Sequence, residues 1–423
     1  MVSVIIPTFN RSKILAKTLD IFKTQSMNHN SYEIIVVDDG STEDISAVVS
    51  ASELRCNHQI IRLPQRSFNT GKPKNEGAKK AKGDVLVFAD CDIMFFQNTL
   101  YSHYEVARQG SVSLGHNYTP DNIRLQHPLD TLNMDFSQYT KDYRSIFGLP
   151  EDEHKEAFPF RFCNTGNASM LKRMFNDVGG FDENFTKWGY EDNELGYRLW
   201  KKGAKFVFNK DAAAIHHPHF RHLFVQDRFS EMGRYFLKKH PVYEVEILTT
   251  PFWNLHQEFM KIGSDIAKHL EKSPLESCEP LDFKPNIILG SGELPAQKSD
   301  VYISMAGQRK TDLRLMGMRL PYDDGAAESL IISAYWRFLP LRVLSEVLTE
   351  AFRVSKRVLV QTLTTADTHS TWSGHIDDLL LLGSDAFEFM PLVEREDMYE
   401  VIPSLLSRKY YSCSDLESAE ADF

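Results

Sequence analysis

Between residues 2 and 92, short β-branched apolar runs alternate with segments of helical period, and no other feature limits the fold as much. The runs are "VSVIIPTF" (2–9), "YEIIVVDDG" (32–40), "HQIIRL" (58–63) and "DVLVFADCD" (84–92). Between the first two lies "SKILAKTLDIFKTQ", where Ile14, Leu15, Leu19 and Phe22 fall on one face and Ser12 stands where a cap is needed. "KNEGAKKAKG" reads as a further helix closed by Gly83. Strand, amphipathic helix, strand is βαβ grammar and predicts an α/β domain with a mostly parallel sheet. Such a sheet holds its ligand beyond the carboxyl ends of its strands, where "DDGS" and "DCD" lie.

A chain of 423 residues exceeds one ordinary core. The pattern predicts a first domain over 1–240, a helical connector and a linker rich in Ser, Pro and Glu over 241–282, a smaller α/β domain over 283–410, and an acidic tail over 411–423. From about residue 100 to 160 periodicity fades among His, Asn, Asp and Tyr, which predicts an irregular, acceptor-facing region. The net charge of −10 opposes a general affinity for polyanions, so nucleic acid is not an expected partner. Five scattered cysteines without a CxxC pair predict neither a disulfide framework nor a thiolate zinc site. No apolar stretch approaches the ~18 residues that span a bilayer, and the amino terminus enters a strand without a basic leader, so a cytoplasmic protein is expected.

Residues two apart on a strand point the same way, so Asp90 and Asp92 would project together at the end of their run. Carboxylates that close repel unless a cation sits beside them. A divalent ion on a diphosphate, Mg2+ or Mn2+, is such a partner; a solvated turn bearing two acids is the plain alternative. In "WGYEDNELGYRLWKKG" (188–203), Leu195 and Leu199 lie one helical turn apart and Gly203 can end the helix, which places Glu191 and Asp192 at its first turn. There the helix dipole favours an ionised carboxylate, and an anion at a strained junction beside Gly189 could accept a proton from an acceptor hydroxyl. In "FCNTGNASML" (162–171), Asn164, Thr165, Gly166 and Asn167 suit sugar hydroxyls, or form an ordinary turn. "AAAIHHPHFRH" gathers His216, His217, His219 and His222, but a zinc site of these alone lacks a companion such as HExxH.

Taken together, "VSVIIPTFNRSKILAKTLDIFKTQ", "YEIIVVDDGSTED", "NTGKPKNEGAKKAKGDVLVFADCDI" and "GGFDENFTKWGYEDNELGYRLWKKG" resemble the family 2 glycosyltransferases over about residues 1–220. The resemblance implies a Rossmann-like, nucleotide-sugar-binding domain of GT-A type. It implies inverting, metal-dependent transfer of a hexosyl or N-acetylhexosaminyl group from a UDP-linked sugar to a glycan, lipid-linked or protein acceptor. On these positions, Asp39 would bond the base, with Pro7 and Thr8 lining its pocket, and Asp90 would meet the ribose. Cys91, Lys72, Lys74 and Asn75 would lie near the donor, with Asn164, Gly166 and Asn167 at its sugar. Asp192 would be the general base, Glu191 would bind acceptor or donor sugar, and Trp188 would form a stacking wall. Asp92 would hold Mn2+ or Mg2+. A chondroitin-polymerase-like branch completes the metal site with a histidine after a strand, for which His216 fits best and His217 is the alternate.

"PNIILGSGELP" and the sequence up to about residue 365 resemble the class I methyltransferases, with Gly290 and Gly292 at the cofactor turn. Yet "DVYIS" ends without the acid that holds the cofactor's ribose, and "RVSKRVLV" lacks the paired glycines. A degenerate, non-catalytic Rossmann-like domain for acceptor docking or self-association is therefore expected. The rival readings are a bifunctional glycosyltransferase and S-adenosylmethionine-dependent methyltransferase, and a sugar nucleotidyltransferase. The last should carry a Gly-rich loop after its first strand, and "PTFNRSKIL" has no glycine.

Overall fold

The structure, a computed structural model, describes residues 1–64, 71–119, 141–142, 144, 158–187, 189–217, 225–250, 259, 261–262, 286–290, 301–303, 313–361, 387–392 and 395–403. The chain forms two compact units, Met1–Gly233 and Arg234–Phe423. Among the described residues no helix is long and apolar enough to cross a membrane.

Unit one begins with β1 (Val2–Thr8), α1 (Ser12–Phe22), β2 (Tyr32–Asp38), α2 (Ile45–Ala51), β3 (Asn57–Arg62), α3 (Gly71–Lys80) and β4 (Val85–Ala89). It continues with β5 (Ile93–Phe95), α4 (Thr99–Ala107), β6 (Ser111–Thr119), β7 (Lys141–Asp142), β8 (Asn167–Leu171), α5 (Lys172–Asp177), α6 (Glu191–Lys201) and β9 (Lys205–His216), and α7 (Val225–Lys239) runs across the division at Gly233. Strands β3, β2, β1 and β4 lie side by side and parallel, as the alternation predicts. Beyond β4 the sheet continues as β8, β6, β9 and β5, where antiparallel pairs mix with the parallel β6–β9 pair, and β7 adds to β6. The result is a mixed α/β unit with a sheet rich in parallel pairs. Side chains alternate between its faces. Val2, Val4 and Ile6 pack with Leu15, Leu19 and Phe22 of α1, while Ile5 turns to the other side with Ala78 of α3.

Two local expectations are corrected. Ser12 does not cap α1; its own N–H donates to Glu43 Oε2 at 2.7 Å, so an acid from the next loop holds this end. Helix α3 ends at Lys80, before Gly83. A Cβ on Gly83 would stand 2.7 Å from Met1 O and Ser3 N, so this glycine serves close backbone approach.

A third correction concerns residues 100–119, expected to be irregular, where α4 and β6 stand. Their polar residues are interior partners. His103 bonds Ser113 Oγ (3.0 Å) and Asn167 Oδ1 (2.7 Å), Asn209 donates to Ser113 Oγ (3.0 Å), and Asn167 donates to Asn117 Oδ1 (2.9 Å). Burial pushes the His103 pKa down to about 4, so the ring works as a neutral hydrogen-bonding group. Most of 120–157 lies outside the described residues.

Unit two holds α8 (Tyr243–Leu248), β10 (Asn286–Leu289), β11 (Val301–Ile303), β12 (Ala327–Ile332), α9 (Leu341–Val354), β13 (Ser355–Gln361), β14 (Phe387–Leu392) and β15 (Arg395–Pro403). The order across its sheet is β11, β10, β12, β13, β15, β14; the first four are parallel, and β15 runs antiparallel to both of its neighbours, β13 and β14. Across the carboxyl ends of β10 and β11 lies the segment 313–320. Leu313 bridges Ile303, and a Cβ on Gly317 would touch Leu289 at 3.0 Å. Glu246 of α8 clamps this segment by accepting the N–H groups of Met316 (2.6 Å), Gly317 (2.7 Å) and Arg319 (3.2 Å).

Candidate active site

The carboxyl ends of β1, β2 and β4 meet the amino end of α6 through a set of paired charges. Asp90, Cys91 and Asp92 form a turn between β4 and β5, closed by the Ile93 N–H on Asp90 O at 3.0 Å. They do not prolong a straight strand, and each acid meets its own cation. Asp90 Oδ1 lies 3.1 Å from Lys74 Nζ, and Asp92 Oδ2 lies 2.5 Å from Arg11 Nη1. The chain itself thus neutralises the acids whose repulsion pointed to a divalent ion. Burial works against the Arg11 charge, but Asp92 beside it more than offsets this and raises its pKa.

Arg11 is brought to Asp92 by an inter-loop clamp. Asn10, at a φ of 50° that asparagine tolerates, accepts the Thr42 N–H (2.8 Å) and donates its own N–H to Ser41 Oγ (2.9 Å). Asp38, at the end of β2, is used locally: Oδ1 accepts the Ser41 N–H at 2.8 Å and Oδ2 lies 3.7 Å from Arg62 Nε. Asp39, also buried, is fixed by its N–H on Thr8 O at 2.9 Å, beside half-buried Pro7.

The antiparallel pairing of Ile93 with His216 sets the histidines against this turn. His216 Nε2 stands 3.8 Å from Asp92 Oδ2, and the His217 N–H donates to the Asp92 carbonyl at 2.8 Å. The Cys91 side chain enters the apolar layer beneath α1, and burial pushes its thiol up to about 12. Its thiol thus belongs to that buried layer, and its carbonyl accepts from Thr18 Oγ1 at 2.7 Å.

The junction before α6 has the expected strain, since Gly189 and Tyr190 adopt φ of 118° and 66°. Glu191 Oε2 accepts the Gly189 N–H at 3.0 Å and is buried. Asp192 keeps 19% of its side-chain surface exposed and is held by Thr165, whose N–H reaches Oδ2 at 3.0 Å and whose hydroxyl bonds Oδ1. Lys74 Nζ donates to the same hydroxyl at 2.8 Å and lies 3.9 Å from Asp192 Oδ1. Lys74 is buried; desolvation opposes its charge, yet Asp90, Asp192 and Glu191 outweigh it and raise its pKa. Close packing enforces this geometry. A Cβ on Gly196 of α6 would sit 2.7 Å from Cys163 Cβ, and one on Gly166 would sit 2.7 Å from Asp90 Oδ2.

Some predicted residues are used elsewhere. Asn75 donates to Phe181 O (3.0 Å) and Glu183 Oε1 (2.9 Å) and accepts the Phe181 N–H (2.9 Å), tying α3 to the turn after α5. Asn167 belongs to the interior network around His103, where its amide also reaches Ala212 O at 3.1 Å. Asn164 accepts the Gly166 N–H at 2.9 Å and so shapes the turn. Lys72 is exposed on α3. Trp188, His219, His222 and Gly292 lie outside the described residues. Sequence reasoning missed Arg11 and gave Thr165 no role of its own; the only signal for Arg11 was its place just beyond the first strand.

Among the described residues no cluster of three or more His, Cys, Asp or Glu side chains is arranged to hold a metal. Asp92 and His216 form a pair of one carboxylate and one imidazole. Such a donor set fits a cation that takes its other oxygens from a diphosphate and water.

Residues 3–179 match the family model "Glycosyl transferase family 2", and 149–223 match "N-terminal domain of galactosyltransferase". The chain is 32% identical to a chondroitin synthase of Pasteurella multocida (strain Pm70), covering 51% of this chain and 24% of that one. It is 31% identical to a validoxylamine A glucosyltransferase of Streptomyces hygroscopicus subsp. jinggangensis, covering 60% of this chain and 63% of that one. The chain therefore spans about a quarter of the length of the synthase and under two thirds of the glucosyltransferase. A solved structure of S. aureus TarS 1-349 in complex with UDP-GlcNAc is similar at 20% identity and a TM-score of 0.42, covering 64% of this chain and 73% of that one. The match to the glycosyl transferase family 2 model falls within the amino-terminal unit, Met1–Gly233.

Proposed function

We propose that the chain is a metal-dependent inverting glycosyltransferase that moves a sugar from a UDP-linked donor to a hydroxyl of a glycan, lipid-linked or protein acceptor. The observation that carries this reading is the assembly, at one end of one sheet, of the Asp92 and His216 pair with the Lys74-bridged acids Asp90 and Asp192. The family match and the sugar-transferring relatives support it.

In this reading Asp39 and the backbone at Pro7 and Thr8 take the base, and Asp90 takes the ribose. Asp92 and His216 would hold Mn2+ or Mg2+, which as a Lewis acid supplies charge stabilisation to the leaving diphosphate. Asp192 accepts the proton of the acceptor hydroxyl as its oxygen attacks the anomeric carbon in line. The bond from that carbon to the phosphate oxygen breaks, the nucleoside diphosphate departs, and the configuration inverts. Turnover of UDP-glucose and UDP-N-acetylglucosamine with Mn2+ tests the assignment. Asp92→Ala should lose metal-dependent turnover, and Asp192→Asn should bind UDP but turn over about 10³-fold more slowly. Normal turnover by Asp192→Asn rejects the base.

Unit two is, in the same reading, a methyltransferase-like domain without catalysis, serving acceptor docking or self-association. Gly290, at a φ of 124° just after β10, supports the likeness. What fills its crevice supports the loss of catalysis: a Cβ on Gly290 would lie 1.7 Å from Ser333 Oγ, and the Tyr335 hydroxyl donates to Met316 O at 2.7 Å. Calorimetry with S-adenosylmethionine should show no heat of binding, and a saturable heat would favour the bifunctional alternative.

A further inference from the structure

The base assignment leaves open how a carboxylate on the first turn of a helix is held at one orientation. Asp192 Oδ2 accepts the Thr165 N–H at 3.0 Å, and Oδ1 accepts the Thr165 hydroxyl. A hydroxyl can donate only once, and the direction of that donation needs fixing. Lys74 fixes it. Its ammonium has no lone pair to accept with and donates to Thr165 Oγ1 at 2.8 Å, so the hydroxyl proton is turned toward Asp192. Lys74 is itself anchored on Asp90 Oδ1 at 3.1 Å. Thr165 is fully buried, and Lys74 shows 2% of its surface. The chain Asp90, Lys74, Thr165, Asp192 is therefore shielded from water along its middle and open at the two acids, whose side chains are 43% and 19% exposed.

We infer that Thr165 is a positioning residue for the transfer reaction: its hydroxyl, polarised by Lys74, and its N–H lock both oxygens of Asp192 so that the remaining lone pairs face the acceptor. The inference rests on the reading of Asp192 as the base. It also gives the linked acids a division of labour. In that reading Asp90 lies at the donor end and Asp192 at the acceptor end, and one buried cation, 3.1 Å from Asp90 Oδ1 and 3.9 Å from Asp192 Oδ1, ties the two together. Threonine and valine have nearly the same shape, whereas serine keeps the hydroxyl and loses the methyl group. A packing role and a positioning role thus predict opposite rankings of the two substitutions.

The test uses the full chain, UDP-glucose and UDP-N-acetylglucosamine as donors, and UDP binding by calorimetry as the check on folding. Thr165→Val should lower kcat about 10²-fold, with donor KM and UDP affinity within about threefold of wild type. Thr165→Ser should retain kcat within about threefold. In an Asp192→Asn background, Thr165→Val should cost nothing more, because both act through one carboxylate. The inference is overturned if Thr165→Val keeps its kcat, or if Thr165→Ser falls as far as Thr165→Val; should Thr165→Val fail to bind UDP, the serine variant alone decides. Failure of the base reading looks different: Asp192→Asn would then turn over normally whatever Thr165 does.

Discussion

The two units both present the carboxyl ends of parallel strands, yet they use them in opposite ways. In unit one the strand ends carry Asp38, Asp39, Asp90 and Asp92, with Arg11 and Lys74 interleaved among them. In unit two β10, β11 and β12 end at Leu289, Ile303 and Ile332, and the segment 313–320 lies across the first two, with Leu315, Met316, Met318 and Leu320 buried. Topology supplies a crevice in either case. What separates a candidate site from a filled core is whether the residues after the last apolar position are charged and mutually compensated. Unit one has that pattern, whereas in unit two the segment laid over the strand ends carries buried methionines, with its backbone held by Glu246.

The comparison breaks first if the compensation in unit one is dispensable. Lys74 is the buried centre of that set, so Lys74→Met would leave Asp90 and Asp192 without their shared cation. Removing one member of a buried pair costs about 3 kcal/mol, and since both acids keep some solvent contact we expect about 2 kcal/mol here. Urea unfolding followed by fluorescence measures it. A change under about 0.5 kcal/mol would mean that Lys74 is an ordinary helix cation, and the contrast with unit two would lose its basis.

A smaller effect should sharpen the contrast from the side of the metal. In the proposed reading a divalent ion would compete with Arg11 for Asp92, because the guanidinium already sits 2.5 Å from Oδ2. Arg11→Gln removes the competitor and should tighten Mn2+ binding to the nucleotide-free chain about tenfold, the size of effect one close charge exerts. Titration of Mn2+ by electron paramagnetic resonance reads this without turnover. Equal affinities in the two proteins would show that the ion does not bind at Asp92.

These expectations also mark what the sequence could disclose. The parallel half of unit one was legible because each strand is a β-branched run and each crossover an amphipathic helix, so one periodicity switch settles both. The acids Asp90, Asp92, Glu191 and Asp192 were legible as clusters at element ends. The partners of those acids were not. Lys74 reads as a solvated residue at a helix entrance until the fold buries it, and Thr165 is one of several small polar residues until α6 packs Asp192 against it. Helix α4 and strand β6 were hidden for a related reason. Periodicity assumes that polar residues face water, whereas His103, Ser113 and Asn117 face one another in the interior. Asn75, expected near the nucleotide, and Asn167, expected at the sugar, show that an amide's partners are equally hidden, since in the fold the first ties α3 to the turn after α5 and the second joins a core network.

The smallest effect probes the clamp of unit two. Glu246 is fully buried, and desolvation pushes its pKa up to about 7 even though the N–H groups of Met316, Arg319 and Gly317 pull the other way. A carboxyl whose folded pKa exceeds its unfolded value binds more protons in the native state across the interval between them. Its contribution to stability is complete below the ordinary carboxylate range and is lost as pH rises through about 7. The melting temperature of the Arg234–Phe423 unit, followed within the whole chain, should therefore fall by a few degrees as pH rises from about 5 to about 8. Glu246→Gln cannot ionise and keeps an oxygen for the Gly317 and Arg319 N–H groups, so its melting temperature should be flatter over the same range. An unchanged slope in the variant would mean that the segment is held by its buried methionines and by Tyr335 on Met316 O alone. The filled crevice would then owe nothing to the carboxylate, and the two units would differ in apolar packing as well as in charge.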